Sequence, residues 1–383
     1  MIFTQNVKQR EVFVYVAVFL YCVALFLKRV NIPLDQNVLN KIMTIGTMLC
    51  VANIFFDRTM NFKGILLTFV IGVLLLVDSL PTGNHEILYL FLMIWGCKNI
   101  DNKKLIATIF YIVLGMTILT ALGTLFGVVN NELFVQNGNR YRYGLGYTSW
   151  SILPFQFFSL CMLYICCKKK PARIYHIFIM SVLAIIIGIL TDTKTSIVIT
   201  ILGVCLLYYF QNKKIKKWNR LKILMILPTI LTVMSFFLTY LYDTGNAFVA
   251  KINIFLNYRI MFQSIGISEY GIGLWANPEA VAAVSITESY YAIDNQFINL
   301  AVNWGVTALV FVVFLYTWLI YYFIKIQDQK MLVFVILMLG MALIWSRLLV
   351  LIEAEILICF SDVFSVGNKA GGLENYAQNF DNG

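Results

Sequence analysis

The chain has 383 residues, is 60% hydrophobic and 13% charged, and carries a formal net charge of +10, with a mean hydropathy of +0.81. A soluble domain holds roughly 25% charged residues, so these values exclude an ordinary soluble protein. The basic excess sits in short clusters between apolar runs, as in CCKKKPAR and QNKKIKKWNRLK; this is the pattern of orientation signals and anionic headgroup contacts, and it argues against nucleic acid as a partner.

In chain order, the apolar runs predict spans near 11–27, 38–56, 64–80, 86–97, 105–129, 150–167, 174–191, 195–210, 223–242, 296–324, 330–346 and 348–364. Their length is that of membrane-crossing helices, not of the shorter alternating strands of a barrel. The first run resembles a signal peptide, but it is long and lacks a small-x-small cleavage site, so an uncleaved span is expected. The fourth is short, and the twelfth carries Glu353 and Glu355 within apolar sequence. The expected fold is all-α: a polytopic helical bundle of about twelve transmembrane helices forming one domain over 1–364. A polar, Gly/Asn-rich tail, 365–383, is expected to be disordered. With the N-terminus inside and strict alternation, 20 of the 29 Lys and Arg residues fall on the inner side, which favours cytoplasmic N- and C-termini. Two long segments, 130–149 and 243–295, then lie outside. The second contains YGIGLW and a helix-like stretch at 247–265, and reads as an ordered lid. All eight cysteines lie in or beside apolar segments, as small core residues rather than a disulfide or metal framework.

The outer side should be poor in cations, yet it holds Lys28, Arg29, Lys41, Arg140, Arg142, Lys194, Lys251, Arg259 and Arg347. Lys28, Arg29 and Lys41 flank the first hairpin of spans, where headgroup contact explains them. Arg140, Arg142, Lys194 and Arg259 are candidates for a positive cup that grips a diphosphate, because guanidinium forks match pairs of phosphate oxygens and stay protonated. The alternative is that they pair with Glu132, Asp192 and Glu269. Tyr143 and Tyr147 are placed either to stack on sugar rings or to sit in an interfacial aromatic belt. Candidate acids and bases are Glu86, His85 and Asp294. Asp294 and Asn295 open the run DNQFINLAVNWG, where they either cap a helix or hold a sugar hydroxyl. Glu353 and Glu355 are costly in lipid and default to function; the alternative is that their segment is a surface helix and not a span. No nucleotide-binding loop, zinc motif or cluster with metal-ligand spacing is found, so no cofactor or metal is expected.

Several of these stretches together resemble the Wzy-type polysaccharide polymerases, in the superfamily that includes O-antigen ligases. ILTDTKTSIVITILGV is similar to the family's TGSR-T turn, with Lys194 in the arginine's place. FLNYRIMFQSIGISEYGIGLWAN is similar to its SGR…W…G-G stretch through Arg259, Gly271 and Gly273. DNQFINLAVNWGVTALVFVVFL is similar to DNSYL-x-L-x-x-x-x-G through Asp294, Asn295 and Gly305. NRYRYGLGYTSW is similar to the arginine-bearing first long loop. The resemblance covers roughly 130–325. It implies a GT-C-like helical fold in the bacterial cytoplasmic membrane and a metal-independent glycosyltransferase. Its substrates would be undecaprenyl-diphosphate-linked glycans, as donor and acceptor, and its partners membrane lipids, a flippase and a chain-length regulator. The product would be a capsule, O-antigen or exopolysaccharide. In that reading Arg142 and Arg259 bind the diphosphate, supported by Arg140 and Lys194. The large outer loop lacks the ligase branch's histidine, which favours polymerase over ligase; a lipid-linked oligosaccharide flippase is the competing class.

Overall fold

The computed structural model describes residues 2–56, 62–136, 140–168, 170–213, 215–286, 293–346 and 349–364. It is mostly helical, at 75%. The helices are α1 (Ile2–Leu27), α2 (Gln36–Phe56), α3 (Phe62–Ser79), α4 (Glu86–Gly96), α5 (Asn102–Leu125), α6 (Ile152–Cys167), α7 (Ile174–Leu190), α8 (Lys194–Gln211) and α9 (Leu227–Asp243). They continue with α10 (Ala247–Phe255), α11 (Arg259–Tyr270), α12 (Pro278–Ile286), α13 (Gln296–Asn299), α14 (Gly305–Lys325) and α15 (Gln329–Ala342). Five segments have the length and apolarity to cross a membrane, 10–27, 102–125, 194–211, 218–243 and 296–325, and five shorter helices are also apolar. The outer helices expose large apolar side chains, such as Phe69, Phe178, Ile189 and Val233. Water would penalise each by about 1.5–3 kcal/mol relative to burial; hydrocarbon would not.

One hydrophobic core extends from Val14 to Phe364. The α1–α2 pair packs most extensively, and Gly46 permits it: a Cβ there would lie 2.9 Å from the Ala17 carbonyl oxygen. Short connections return each helix toward the end its predecessor left. The bundle therefore has a hairpin end, with the connections at 28–35, 80–85 and 126–151, and an opposite end. At the opposite end Arg10 reaches Asn53, Asn53 donates to the Gly96 carbonyl, and Lys168 Nζ lies 2.7 Å from His176 Nε2.

The chain departs from the expected all-α pattern in 130–149. Strands β1 (Leu133–Gln136) and β2 (Arg140–Tyr143) pair antiparallel, with Phe134 opposite Arg142. The β-branched and aromatic residues of LFVQ and RYRY suit a pleated ribbon, and helical periodicity is missing. The stretch expected to be helical over 247–265 is two helices, split where Asn257 and Tyr258 both take left-handed φ values of 53° and 63°.

The tenth expected span, 296–324, is not one continuous α-helix. After α13 comes a π turn, Leu300–Trp304, and α14 starts at Gly305 with φ +76°. The backbone of 273–277 threads this break. Val306 N donates to the Gly273 carbonyl, Thr307 N to the Leu274 carbonyl, and Asn277 N to the Asn303 carbonyl. A Cβ on residue 305 would lie 2.6 Å from the Leu274 carbonyl oxygen, so both conformation and space demand glycine there.

The twelfth expected span, 348–364, is likewise not an α-helix. Residues 355–364 form a buried 3-10 helix. At one end Glu353 meets Arg29; at the other, Ser361 Oγ donates to Asn102 and Tyr322 Oη to Asp362. The segment thus runs from the hairpin end to the opposite end inside the bundle. Non-helical backbone is tolerated at such depth when protein surrounds it. The expected disordered tail, 365–383, lies outside the described residues.

Candidate functional site

Among the described residues, five ion pairs on four carboxylates form at the hairpin end. Arg140 donates through Nε to Asp192 Oδ2 and through Nη2 to the Asp192 carbonyl, at 3.3 Å. Arg142 Nε lies 3.7 Å from the same Oδ2, and its guanidinium sits 4.7 Å from the centre of the Trp150 ring. Phe134 meets Trp150 edge to face at 5.1 Å. The hairpin therefore supplies both guanidinium groups and Phe134, which packs on the Trp150 ring that Arg142 faces. Asp192 is in the α7–α8 turn, with φ +47°, and Lys194 opens α8. The Arg140 contact, joined by the charges of Arg142 and Lys194, holds the Asp192 carboxyl below its ordinary value. Two guanidinium groups thus meet one carboxylate, and the charge of Lys194, two residues on, also acts on it. The Arg140 side chain is 38% exposed and that of Arg142 9%: one faces outward and the other is fixed beneath.

Arg259 pairs with Asp294 at 3.0 Å. The Asn295 side chain accepts from Phe297 N and Ile298 N and donates to Ser235 Oγ at 2.8 Å. It is a buried helix cap, and the expectation that it holds a sugar is corrected. Lys28 lies 3.5 Å from Glu86. Arg29 bonds Glu353, which also accepts from Trp345 Nε1 at 3.5 Å. Arg29 is 8% exposed, so its expected role as a headgroup contact is corrected as well. Arg347 lies outside the described residues. Lys28, Arg29 and Arg259 are thus each matched to one carboxylate, whereas Arg140 and Arg142 converge on a single one.

Tyr147, expected to stack on sugar, is 1% exposed and packs edge to face on Phe26. Its backbone bridges Val30, with Asn31 N on the Gly146 carbonyl and Thr148 N on the Arg29 carbonyl. It anchors the first long loop to the end of α1 and touches no solvent. Tyr143 is 42% exposed and remains accessible. His85 Nδ1 lies 2.7 Å from Ser79 Oγ.

Glu86 faces a small half-open cleft of about 80 Å³, lined by Tyr21, Gln296, Asn299, Trp304 and Ser346 with an apolar wall of Leu25, Ile87, Leu349 and Val350. Of the three candidate bases, Glu86 alone lines this cleft. Gln296, Asn299, Trp304, Tyr21 and Ser346 belong to no motif that marks them as functional in the sequence. The available signal was the amide and indole spacing in DNQFINLAVNWG, whose common face depends on the π turn. Among the described residues, no three His, Cys, Asp or Glu side chains gather as a metal site. No family model, characterised protein or solved structure matches the chain.

Proposed function

We propose that the protein is a Wzy-type polymerase. It would join undecaprenyl-diphosphate-linked repeat units on the outer face of the bacterial cytoplasmic membrane, in a GT-C-like bundle of about twelve crossings with both termini inside. The observation that carries this reading is the meeting of Arg140 and Arg142 at the single carboxylate of Asp192, on which the Lys194 charge also acts. The stretches that bring these residues are two of those that resemble the family, and they are about fifty residues apart.

A site with two net positive charges and an exposed guanidinium suits an anion held at the membrane surface. The acceptor hydroxyl loses its proton to Glu86 as its oxygen attacks the donor's anomeric carbon. The bond from that carbon to the diphosphate breaks, and undecaprenyl diphosphate leaves with the electron pair. The cation group offsets the charge that develops on the leaving oxygen, and two membrane-held substrates gain from being fixed in line. Arg259, paired with Asp294 beside the cleft wall, is the second diphosphate ligand in this reading. Glu86 is preferred as the base because it lines the cleft, with Lys28 3.5 Å away, whereas Asp294 is held by Arg259 at 3.0 Å and does not line it.

The test is purified protein with a synthetic lipid-diphosphate repeat unit. A ladder of longer products should form without ATP or divalent metal, and Arg142→Ala and Arg259→Ala should each abolish it in folded protein. Normal polymerisation by both variants sinks the diphosphate assignment. A transport reading draws on Glu355, a fully buried carboxyl that accepts from Ser159 Oγ at 2.7 Å in the bundle interior. Movement of lipid-linked glycan with no new glycosidic bond would select it.

A further inference from the structure

The geometry points to the Glu86 cleft as a saccharide subsite: Trp304 provides the platform for a sugar ring, Gln296 and Asn299 the hydroxyl partners, and Glu86 the acceptor for the reacting hydroxyl. This deepens the polymerase reading and rests on it for the identity of that hydroxyl, but sugar binding itself does not depend on it.

Gln296 and Asn299 are three residues apart and share one helical face. Trp304 comes five residues after Asn299. In an ordinary α-helix that offset turns a side chain well away, but the π turn Leu300–Trp304 accommodates an i to i+5 spacing. All three side chains therefore line one cleft. The wide turn is held in place from outside: Asn277 N bonds the Asn303 carbonyl and Val306 N the Gly273 carbonyl, across the glycine break at residue 305. A π turn costs regular hydrogen bonding, and such turns concentrate where they aim side chains at a functional surface.

The chemistry of the lining is that of carbohydrate recognition. An indole presents a flat apolar face to ring C–H groups. Amides both donate and accept, as sugar hydroxyls do. Ser346 and Tyr21 add hydroxyls to the same wall. The one charged side chain in the lining, Glu86, is paired with Lys28 at 3.5 Å, so the interior suits a neutral polyol ring better than an anion. Leu25, Ile87, Leu349 and Val350 form an apolar side, which excludes water behind the ring.

The experiment uses the full chain in lipid nanodiscs and saturation-transfer NMR with methyl glycosides of glucose, galactose, N-acetylglucosamine and rhamnose as probes. At least one glycoside should receive saturation. Asn299→Leu should weaken that binding about fivefold, the loss of one hydrogen bond. Trp304→Phe should retain the binding and Trp304→Leu lose it, because the phenyl face substitutes for the indole while the aliphatic chain does not. Ser346→Val provides the same readout if Asn299→Leu does not fold. If no glycoside gives a signal, or if the signal is unchanged in Trp304→Leu, the subsite assignment is overturned. Glycoside binding with no ladder in the polymerisation assay would sink the polymerase reading alone. A ladder formed at the parent rate by Trp304→Leu would sink the subsite alone.

Discussion

Two ion-pair regions at the hairpin end differ in stoichiometry and exposure. Arg29 and Glu353 match one to one and are buried, with side chains 10% and 5% exposed. Arg140, Arg142 and Lys194 share one Asp192, whose side chain is 25% exposed. A buried, balanced pair is satisfied and has no capacity for a further ion. A half-exposed, unbalanced group has spare positive charge where a ligand can reach it. The first acts as a clamp that joins the end of α1 to the central 3-10 segment; the second has the character of an anion site.

The largest effect should come from unbalancing the clamp. Arg29→Met leaves the Glu353 carboxylate buried without its cation and should cost about 3–5 kcal/mol, read as a lower melting temperature and reduced monodisperse yield in detergent. The double variant Arg29→Met/Glu353→Met should recover much of that loss. If the single variant melts with the parent, the clamp contributes nothing and the contrast fails.

Next in size is the loss of activity at the unbalanced group. Arg140→Ala should reduce polymerisation at least tenfold, while its melting temperature stays near that of the parent, because a pair this exposed contributes at most about 1 kcal/mol. Comparable losses of stability in Arg29→Met and Arg140→Ala would remove the distinction between the two regions.

A smaller effect should appear with pH. Asp192 has its folded-state value lowered, chiefly by Arg140. Its contribution to stability is therefore complete above the ordinary carboxylate range, near pH 4, and is lost as pH falls through the folded value. In melting curves taken at decreasing pH, Asp192→Asn should show a shallower decline than the parent over that acidic window. Identical slopes would mean that Arg140 does not hold the carboxyl. The smallest effect is expected for Lys194→Arg, which keeps the charge; retained ladder formation is the outcome, and loss would indicate a need for a compact ammonium.

The Gly305 break contrasts local with tertiary demands in another way. Gly245 has φ +75° with no atom within 4 Å of an added Cβ, whereas Gly305 has φ +76° with carbonyl oxygens at 2.6 and 2.7 Å. Both positions carry backbone strain in any other residue, but only at 305 does a second segment of chain occupy the space. DNQFINLAVNWG reads as helix from its hydropathy alone, because nothing within it reports that 273–277 will cross there.

The apolar runs, their approximate ends and the presence of two cation-bearing loops were determined by the sequence, since run length and charge placement are local properties that a membrane reads directly. So was the capping potential of Asn295. The tertiary structure decided which charges meet. Arg29 and Glu353 are separated by 324 residues, and no local propensity couples them. It also decided that Tyr147 faces inward, that the 355–364 segment follows a buried 3-10 path, and that Gln296, Asn299 and Trp304 share a cleft with Glu86. Each of these depends on packing between distant segments, where burial assigns a side chain its environment and its partner together.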